Sequence, residues 1–488
     1  MSRYREKHFQ TKQMIFNSFQ FIWLFPLIFI AYWIIDRLKI GGKRSKRILN
    51  CFLLLVSYGL YAQWSLPHTL ILFFVTLCTY LFAILIEHKR AFGRKKYIIW
   101  CGALLTLLPL LVYKYFNFIT AAGASALAWI GIDAAPPGLN WVVPLGLSFY
   151  SFQALGYLWD VYYKRFPAEH DFLDYMLFVA FFPQILCGPI SRAGELLPQI
   201  KKGIVFNYDQ ATSGLRFLLW GMFLKVVLAD RLGIYVDTIY ASPTDYSGSS
   251  CILAAIFYSF QIYGDFAGYS FMALGVARLL GYDIIKNFNR PYLATSVSLF
   301  WKRWNISLTR WLTTYIYIPQ GGNRKGTIRT YWNIMLTFLV SGIWHGANWT
   351  FIFWGVLHGA AQCIEKMFGL NKEGKKAYVA VPRILITFFI VTLAWIFFRM
   401  PSIEDGFAVI RHSFSLGMPY LDLLTISHAL IALAVVIAVD LLTEYRNAAF
   451  HSFLRKHTAV RWVGYVCMTM SIILLGVLDS GQFIYVSF

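Results

Sequence analysis

The sequence predicts an all-α, polytopic integral membrane protein with about eleven transmembrane helices plus re-entrant or interfacial segments. Three observations predict it. Apolar residues make up 58% of the 488-residue chain and charged residues only 14%, against about 25% charged in a soluble domain, and mean hydropathy is +0.56. Uncharged runs near the ~20 residues that a spanning helix needs recur along the chain. The 44 Lys and Arg, against 23 Asp and Glu, punctuate those runs in short loops, the orientation signal of a multi-pass protein. A water-soluble enzyme is excluded, and the absence of a basic domain argues against nucleic acid as a partner.

The clearest spans are 15–35, 97–113, 139–159, 246–264, 423–439 and 462–478. The uncharged run 48–86 is too long for one helix and breaks at Ser65-Leu66-Pro67-His68. The run 330–364 must likewise be a hairpin, a very tilted helix, or a span plus a broken piece. Basic loops at 37–47, 88–96, 164–165, 201–202, 286–290, 324–329, 366–376 and 446–461 are placed inside. The Ser65–His68 turn and the segments 120–140 and 233–249, which lack Lys and Arg, are placed outside. The basic tail 1–13 opposes this scheme and reads as a candidate misassigned start before Met14. With no repeat and no Pro- or Ser-rich linker, residues 14–488 read as a single membrane domain.

Two segments are apolar yet unsuited to simple spanning. Residues 175–191 contain Pro183 and Gly188-Pro189, and 288–319 mixes apolar residues with Asn289, Arg290, Pro291, Lys302, Arg303, Asn305 and Arg310. Irregular backbone and charge at membrane depth are tolerated only where they are buried in protein or line a cavity. These segments therefore suggest a reaction chamber or pathway inside the bundle. The seven cysteines (51, 78, 101, 187, 251, 363, 467) lie in or beside apolar stretches without CxxC or Cys/His zinc spacing, so they read as buried small hydrophobes and no metal is expected.

His345 and His358 both lie within the run 330–364. His345 is flanked by Gly342 and Gly346, which admit a second backbone or a substrate. An ionisable residue at this depth is a functional candidate, and a neutral imidazole is the form a general base needs. The alternative is a histidine satisfied within helix packing, the reading preferred for His358. Between Phe300 and Trp311 three Trp alternate with Lys302, Arg303 and Arg310. That pattern fits an amphipathic helix at the cytoplasmic interface. It fits equally a cationic clamp for an anionic cofactor such as coenzyme A, with Asn305 facing inward. The basic loop Gly321-Gly322-Asn323-Arg324-Lys325-Gly326 follows, without the GxxxxGK[ST] of a nucleotide cradle.

At these residues the chain resembles the membrane-bound O-acyltransferase (MBOAT) family, in its branch of bacterial polysaccharide O-acetylases. The resemblance rests on Pro144-Leu-Gly-Leu-Ser148-Phe-Tyr150-Ser-Phe-Gln153, Phe182-Pro183-Gln184 to Gly188-Pro189, Ile262-Tyr263-Gly-Asp265-Phe-Ala-Gly268-Tyr269-Ser270 and Asn289-Arg290-Pro291-Tyr292. It is most specific from Phe300-Trp301 through Ile318-Pro319-Gln320-Gly321-Gly322-Asn323-Arg324 to Ser341-Gly-Ile-Trp344-His345-Gly346. It implies helices around a central tunnel, a catalytic core at roughly 140–365, and location in the bacterial cell membrane. The family's principal catalytic histidine falls on His345. A second polar site position falls on Asn305, where the nearest branch carries His and more distant branches carry Asn. Phe271 stands where relatives often have Asp.

The resemblance further implies acetyl-CoA as donor, with Lys302, Arg303, Arg310 and Arg324 drawing its phosphates to a cytoplasmic mouth. It implies transfer across the membrane to an extracytoplasmic SGNH-type acetyltransferase, with a surface polysaccharide as final acceptor. Two other readings stand beside it. One is D-alanyl transfer to teichoic acid from a carrier protein, within the same fold. The other is a transporter or flippase using Asp160, Asp230, Asp265 and Asp440, which the absence of repeat symmetry disfavours.

Overall fold

The computed structural model describes residues 16, 18–38, 43–88, 93–371, 377–478 and 484. The tail 1–13 lies outside them. Among the described residues the regular structure is wholly helical. Seven helices among the described residues are long and apolar enough to cross a membrane: Phe19–Arg37, Leu66–Glu87, Lys95–Trp129, Gly248–Leu279, Tyr378–Arg399, Ile426–Tyr445 and Thr458–Leu475. That is fewer than the eleven expected. Other expected spans are helices that are shorter or interrupted by polar residues. Two compact units are present: residues 1–215 with 273–285, and residues 216–272 with 286–488.

The first unit opens with α1 (Phe19–Arg37), α2 (Lys43–Trp64) and α3 (Leu66–Glu87). The break between α2 and α3 falls where the sequence places it: Ser65 caps α3 by accepting from the His68 amide, and Pro67 sits in the first turn. Helix α4 (Lys95–Leu110) runs through a π-helical turn at Leu111–Tyr115 into α5 (Phe116–Trp129). The segment 120–140, expected as a loop, is therefore helical as far as Trp129. Its run of Ala with few breakers sustains the helix.

The run 139–159 is also not a simple span. Helix α6 (Leu147–Tyr162) starts only at Leu147, and 13 of its 16 residues are buried inside the protein. Gly146 begins it with φ 70°, and a Cβ there would lie 2.1 Å from the Ile185 carbonyl oxygen. Helix α7 (Phe172–Ala180) ends at an irregular turn, as the Pro183 and Gly188-Pro189 signals require, and α8 (Ala193–Lys202) follows. Gln184 donates to Gln153 at 3.1 Å and accepts from Ser191 at 2.8 Å. Two of the family-like motifs thus meet as one buried polar string.

Helix α9 (Tyr208–Met222) leads to a π-helical stretch at Phe223–Ala229 and to α10 (Asp230–Ala241). Most of the predicted outer loop 233–249 is therefore helix. The long α11 (Gly248–Leu279) crosses this stretch at glycines. A Cβ on Gly221 would come within 2.6 Å of the Gly268 carbonyl oxygen, the close approach that small residues permit between membrane helices. Beside the crossing, Lys225 is buried between Asp230 at 2.7 Å and Asp265 at 2.6 Å. The amide of Ile484 donates to the other Asp265 oxygen at 2.8 Å. Phe271 stacks on Phe217, with the Lys286 ammonium 5.7 Å from both rings.

The second unit continues with α12 (Val297–Arg303) and α13 (Ile306–Leu312), then the hairpin α14 (Thr327–His345) and α15 (Trp349–Met367). The run 330–364 is thus a hairpin. It is completed by α16 (Ala377–Arg399), α17 (Ile403–His412), α18 (Leu423–Tyr445), α19 (Asn447–Lys456) and α20 (Thr458–Leu475).

The cysteines depart from uniform burial. Cys187 and Cys251 are buried, Cys51, Cys78 and Cys363 are half-buried, and Cys101 and Cys467 are exposed on α4 and α20. On a membrane helix an exposed thiol faces hydrocarbon, so its apolar flanks do not require protein around it.

Candidate active site

The region 300–311 is not one amphipathic helix. Helix α12 ends at Trp304, which is extended, and Asn305 turns the chain with φ 41° and ψ 56° before α13 begins. Asn is among the few residues that visit this left-handed region readily. Trp301, Trp304 and Trp311 are buried, so they form core rather than an interfacial belt.

The start of α12 is capped twice. Ser296 accepts from Leu299, and the Glu365 carboxylate, reaching across from α15, accepts from the amides of Val297 and Ser298. The elbow is then strapped to the preceding segment. Asn289 donates to the Arg303 carbonyl at 2.9 Å, Ile306 to the Asn287 carbonyl at 3.0 Å, and Ser307 to the Asn287 side chain at 2.9 Å. Asn305 is 1% exposed, and neither atom of its amide has a hydrogen-bond partner among the described residues. A buried amide left open in this way is a place for a ligand's polar group.

His345 closes α14 and is 3% exposed. Its ring lies against Trp344, Trp354 and Phe398 at centroid distances of 4.9, 5.0 and 5.2 Å. The flanking glycines serve the hairpin. A Cβ on Gly342 would sit 2.3 Å from the Phe351 carbonyl oxygen, and one on Gly346 would strike the Phe351 ring. It is α15 that approaches closely at both positions.

His358 is fully buried one aromatic ring away, with Trp354 touching both imidazoles at 5.0 and 4.8 Å. Trp301 donates to its Nδ1 at 3.2 Å. From Trp354 the aromatic wall continues through Trp395 to Trp304, the residue before Asn305, at 5.7 and 5.1 Å. His345 and Asn305 thus stand at the two ends of one continuous aromatic wall.

A cavity of about 350 Å³ opens beside this wall. Trp301, Lys302, Phe338 and Ser341 line it, and so does Lys366. Ser341 lies one helical turn before His345. The cavity's lining residues include two Lys and no Asp or Glu, which favours an anion. Of the predicted cations only Lys302 lines it. Arg303 pairs with Glu444 at 2.9 Å, Arg310 is half-buried on α13, and Arg324 is exposed in the loop before α14. Among the described residues no group of three His, Cys, Asp or Glu could hold a metal ion.

Sequence reasoning missed Lys366, which sits at the edge of a loop counted only for its charge. It also missed Lys225, a lone cation inside the uncharged stretch 217–229 that should have been found as an intramembrane ionisable residue. Three of the four acidic residues of the transporter reading have local cationic partners: Lys225 is shared by Asp230 and Asp265, and Arg165 lies 3.5 Å from Asp160.

The chain is similar to the probable alginate O-acetylase AlgI of Pseudomonas aeruginosa, 34% identical over 413 residues, covering 83% of this chain and 75% of that protein. It is 33% identical over 429 residues to the peptidoglycan O-acetyltransferase of Helicobacter pylori, covering 82% and 79%. A more distant relative is the teichoic acid D-alanyltransferase of Bacillus subtilis, 24% identical over 400 residues and covering 78% and 97%. The profile of the membrane-bound O-acyltransferase family matches residues 1–403. With its helical bundle, its buried histidines and this match, the chain belongs to the membrane-bound O-acyltransferase family and is a multi-pass membrane O-acyltransferase.

Proposed function

We propose that the protein takes an acetyl group from cytoplasmic acetyl-CoA and passes it across the bacterial cell membrane for O-acetylation of an envelope or extracellular polysaccharide. The observation that carries this reading is the buried His345, one helical turn from Ser341 and the cavity that Lys302 and Lys366 flank. The two ammonium groups draw the phosphates of the donor. Arg310 and Arg324 add to the positive field at the mouth, while Arg303 serves through its pair with Glu444.

In the reaction, the acceptor hydroxyl oxygen bonds to the thioester carbonyl carbon as His345 takes its proton. The carbon–sulfur bond then breaks, and the leaving thiolate takes the proton back from His345. The open amide of Asn305 orients the acyl carbonyl or the acceptor. An extracytoplasmic acetyltransferase of the SGNH type receives the group and completes the transfer to the polymer.

The test is base-labile acetate on the extracellular polymer from cells expressing wild type, His345→Ala and Asn305→Ala at equal protein level. Loss of the esters in His345→Ala is expected, with a smaller deficit in Asn305→Ala. Equal ester content in all three strains refutes the reading, and D-alanine ester is then the product to assay, given the similarity to the D-alanyltransferase.

A further inference from the structure

The elbow that presents Asn305 is held from outside the family-matched region. Residues 287–290 and 303–307 run side by side, joined by the three hydrogen bonds at Asn287, Asn289, Ile306 and Ser307. Each strip contains a non-glycine residue in left-handed backbone, Arg290 at φ 48° and Asn305 at φ 41°. Such conformations persist only where the surroundings over-determine them. The side chains flanking the pair supply part of that constraint. Glu444 of α18 accepts from Arg290 Nε through Oε2 at 2.6 Å and from Arg303 Nη2 through Oε1 at 2.9 Å. All three side chains are largely buried, at 21%, 16% and 16% exposure. Without the carboxylate, two guanidinium groups on adjacent strips would face each other across poorly hydrated space.

We propose that Glu444 is a positioning residue for the acyl-transfer site: its carboxylate bridges Arg290 and Arg303 and thereby fixes the elbow that presents Asn305. The family match ends at residue 403, and Glu444 brings a side chain from beyond it to the strips that hold Asn305. The inference rests on the proposed role of Asn305, and two separate readouts keep the two apart.

The first readout is hydrogen exchange on the detergent-solubilised full chain, followed in peptides covering 303–309, where the amides of Ile306, Ser307 and Thr309 are bonded. Glu444→Gln is expected to speed exchange there by roughly tenfold or more while α3 keeps wild-type protection, and Glu444→Asp to restore part of the protection. The second is acetyl-CoA-dependent ester formation in membranes of the expressing cells. Glu444→Gln is expected to lower kcat about tenfold with little change in KM, and to have no further effect in an Asn305→Ala background.

Wild-type exchange at 303–309 in Glu444→Gln overturns the proposal whatever the activity. Rate losses that multiply in the double variant overturn it too, because Glu444 would then act independently of Asn305. Full activity in Asn305→Ala refutes instead the use of that amide in the proposed reaction, whatever the exchange shows.

Discussion

The indole Nε1 of Trp301 donates to Nδ1 of His358 at 3.2 Å. An indole nitrogen can only donate, so this bond makes Nδ1 of His358 the acceptor and, in the neutral ring, puts the proton on Nε2. One hydrogen bond therefore links the short helix before Asn305 to the second helix of the hairpin whose first helix ends in His345.

Trp301→Phe keeps an aromatic ring in place and removes that bond, leaving both ring nitrogens of His358 without a partner among the described residues. A loss of about 1–3 kcal/mol is expected. It should appear as a lower midpoint of thermal unfolding in detergent, and an unchanged midpoint would contradict the pairing.

Gly342→Ala should part the hairpin, because the new Cβ would lie 2.3 Å from the Phe351 carbonyl oxygen. Overpacking of this kind costs about 1–3 kcal/mol. Gly464→Ala on α20 is the control: nothing lies within 4 Å of a Cβ there, and removal of a helical glycine stabilises by up to about 1 kcal/mol. The folded fraction recovered by size exclusion should fall for the first variant and hold for the second.

Lys225→Met leaves Asp230 and Asp265 buried without their shared cation. Breaking a buried pair from one side costs about 3–5 kcal/mol, so the yield of folded protein should collapse. Adding Asp265→Asn to Lys225→Met should recover part of it. A Lys225→Met protein as stable as wild type would show that the cluster is not a structural lock.

Lys302→Ala and Lys366→Ala test the anionic donor. Each should raise KM for acetyl-CoA about fivefold with kcat nearly unchanged, as expected for roughly 1 kcal/mol from a solvated charge pair. The effect should shrink as salt is raised. Initial rates at two ionic strengths decide it.

The parts of the fold legible in the sequence were those that elementary rules reach. Ser65 and Pro67 marked a helix start, Pro183 and Gly188-Pro189 an irregular turn, and the length of 330–364 a helical hairpin. The site was legible only as a set of positions. His345 and Asn305 stood out because they are polar residues in apolar surroundings, but nothing local tells which cations face a ligand. Arg303 and Lys302 are neighbours, and only the fold decides that one meets Glu444 and the other a cavity. Residues 139–159 read as a span because apolar composition does not distinguish lipid from protein as the surrounding medium. The Trp spacing near 301 misled for the same reason, since aromatic residues suit a buried wall and a membrane interface equally well.

The bond between the Ile484 amide and Asp265 bears on how the protein is made. Asp265 and Lys225 enter the membrane while more than two hundred residues are still to be translated, yet the second carboxylate oxygen of Asp265 receives its backbone donor only after residue 484 has left the ribosome. The charged knot at the crossing of α11 is thus finished only after the helices that follow α11 have been made. A chain that stops short of that point leaves a buried carboxylate oxygen of Asp265 without its backbone donor, at the cost that an unsatisfied buried polar group carries.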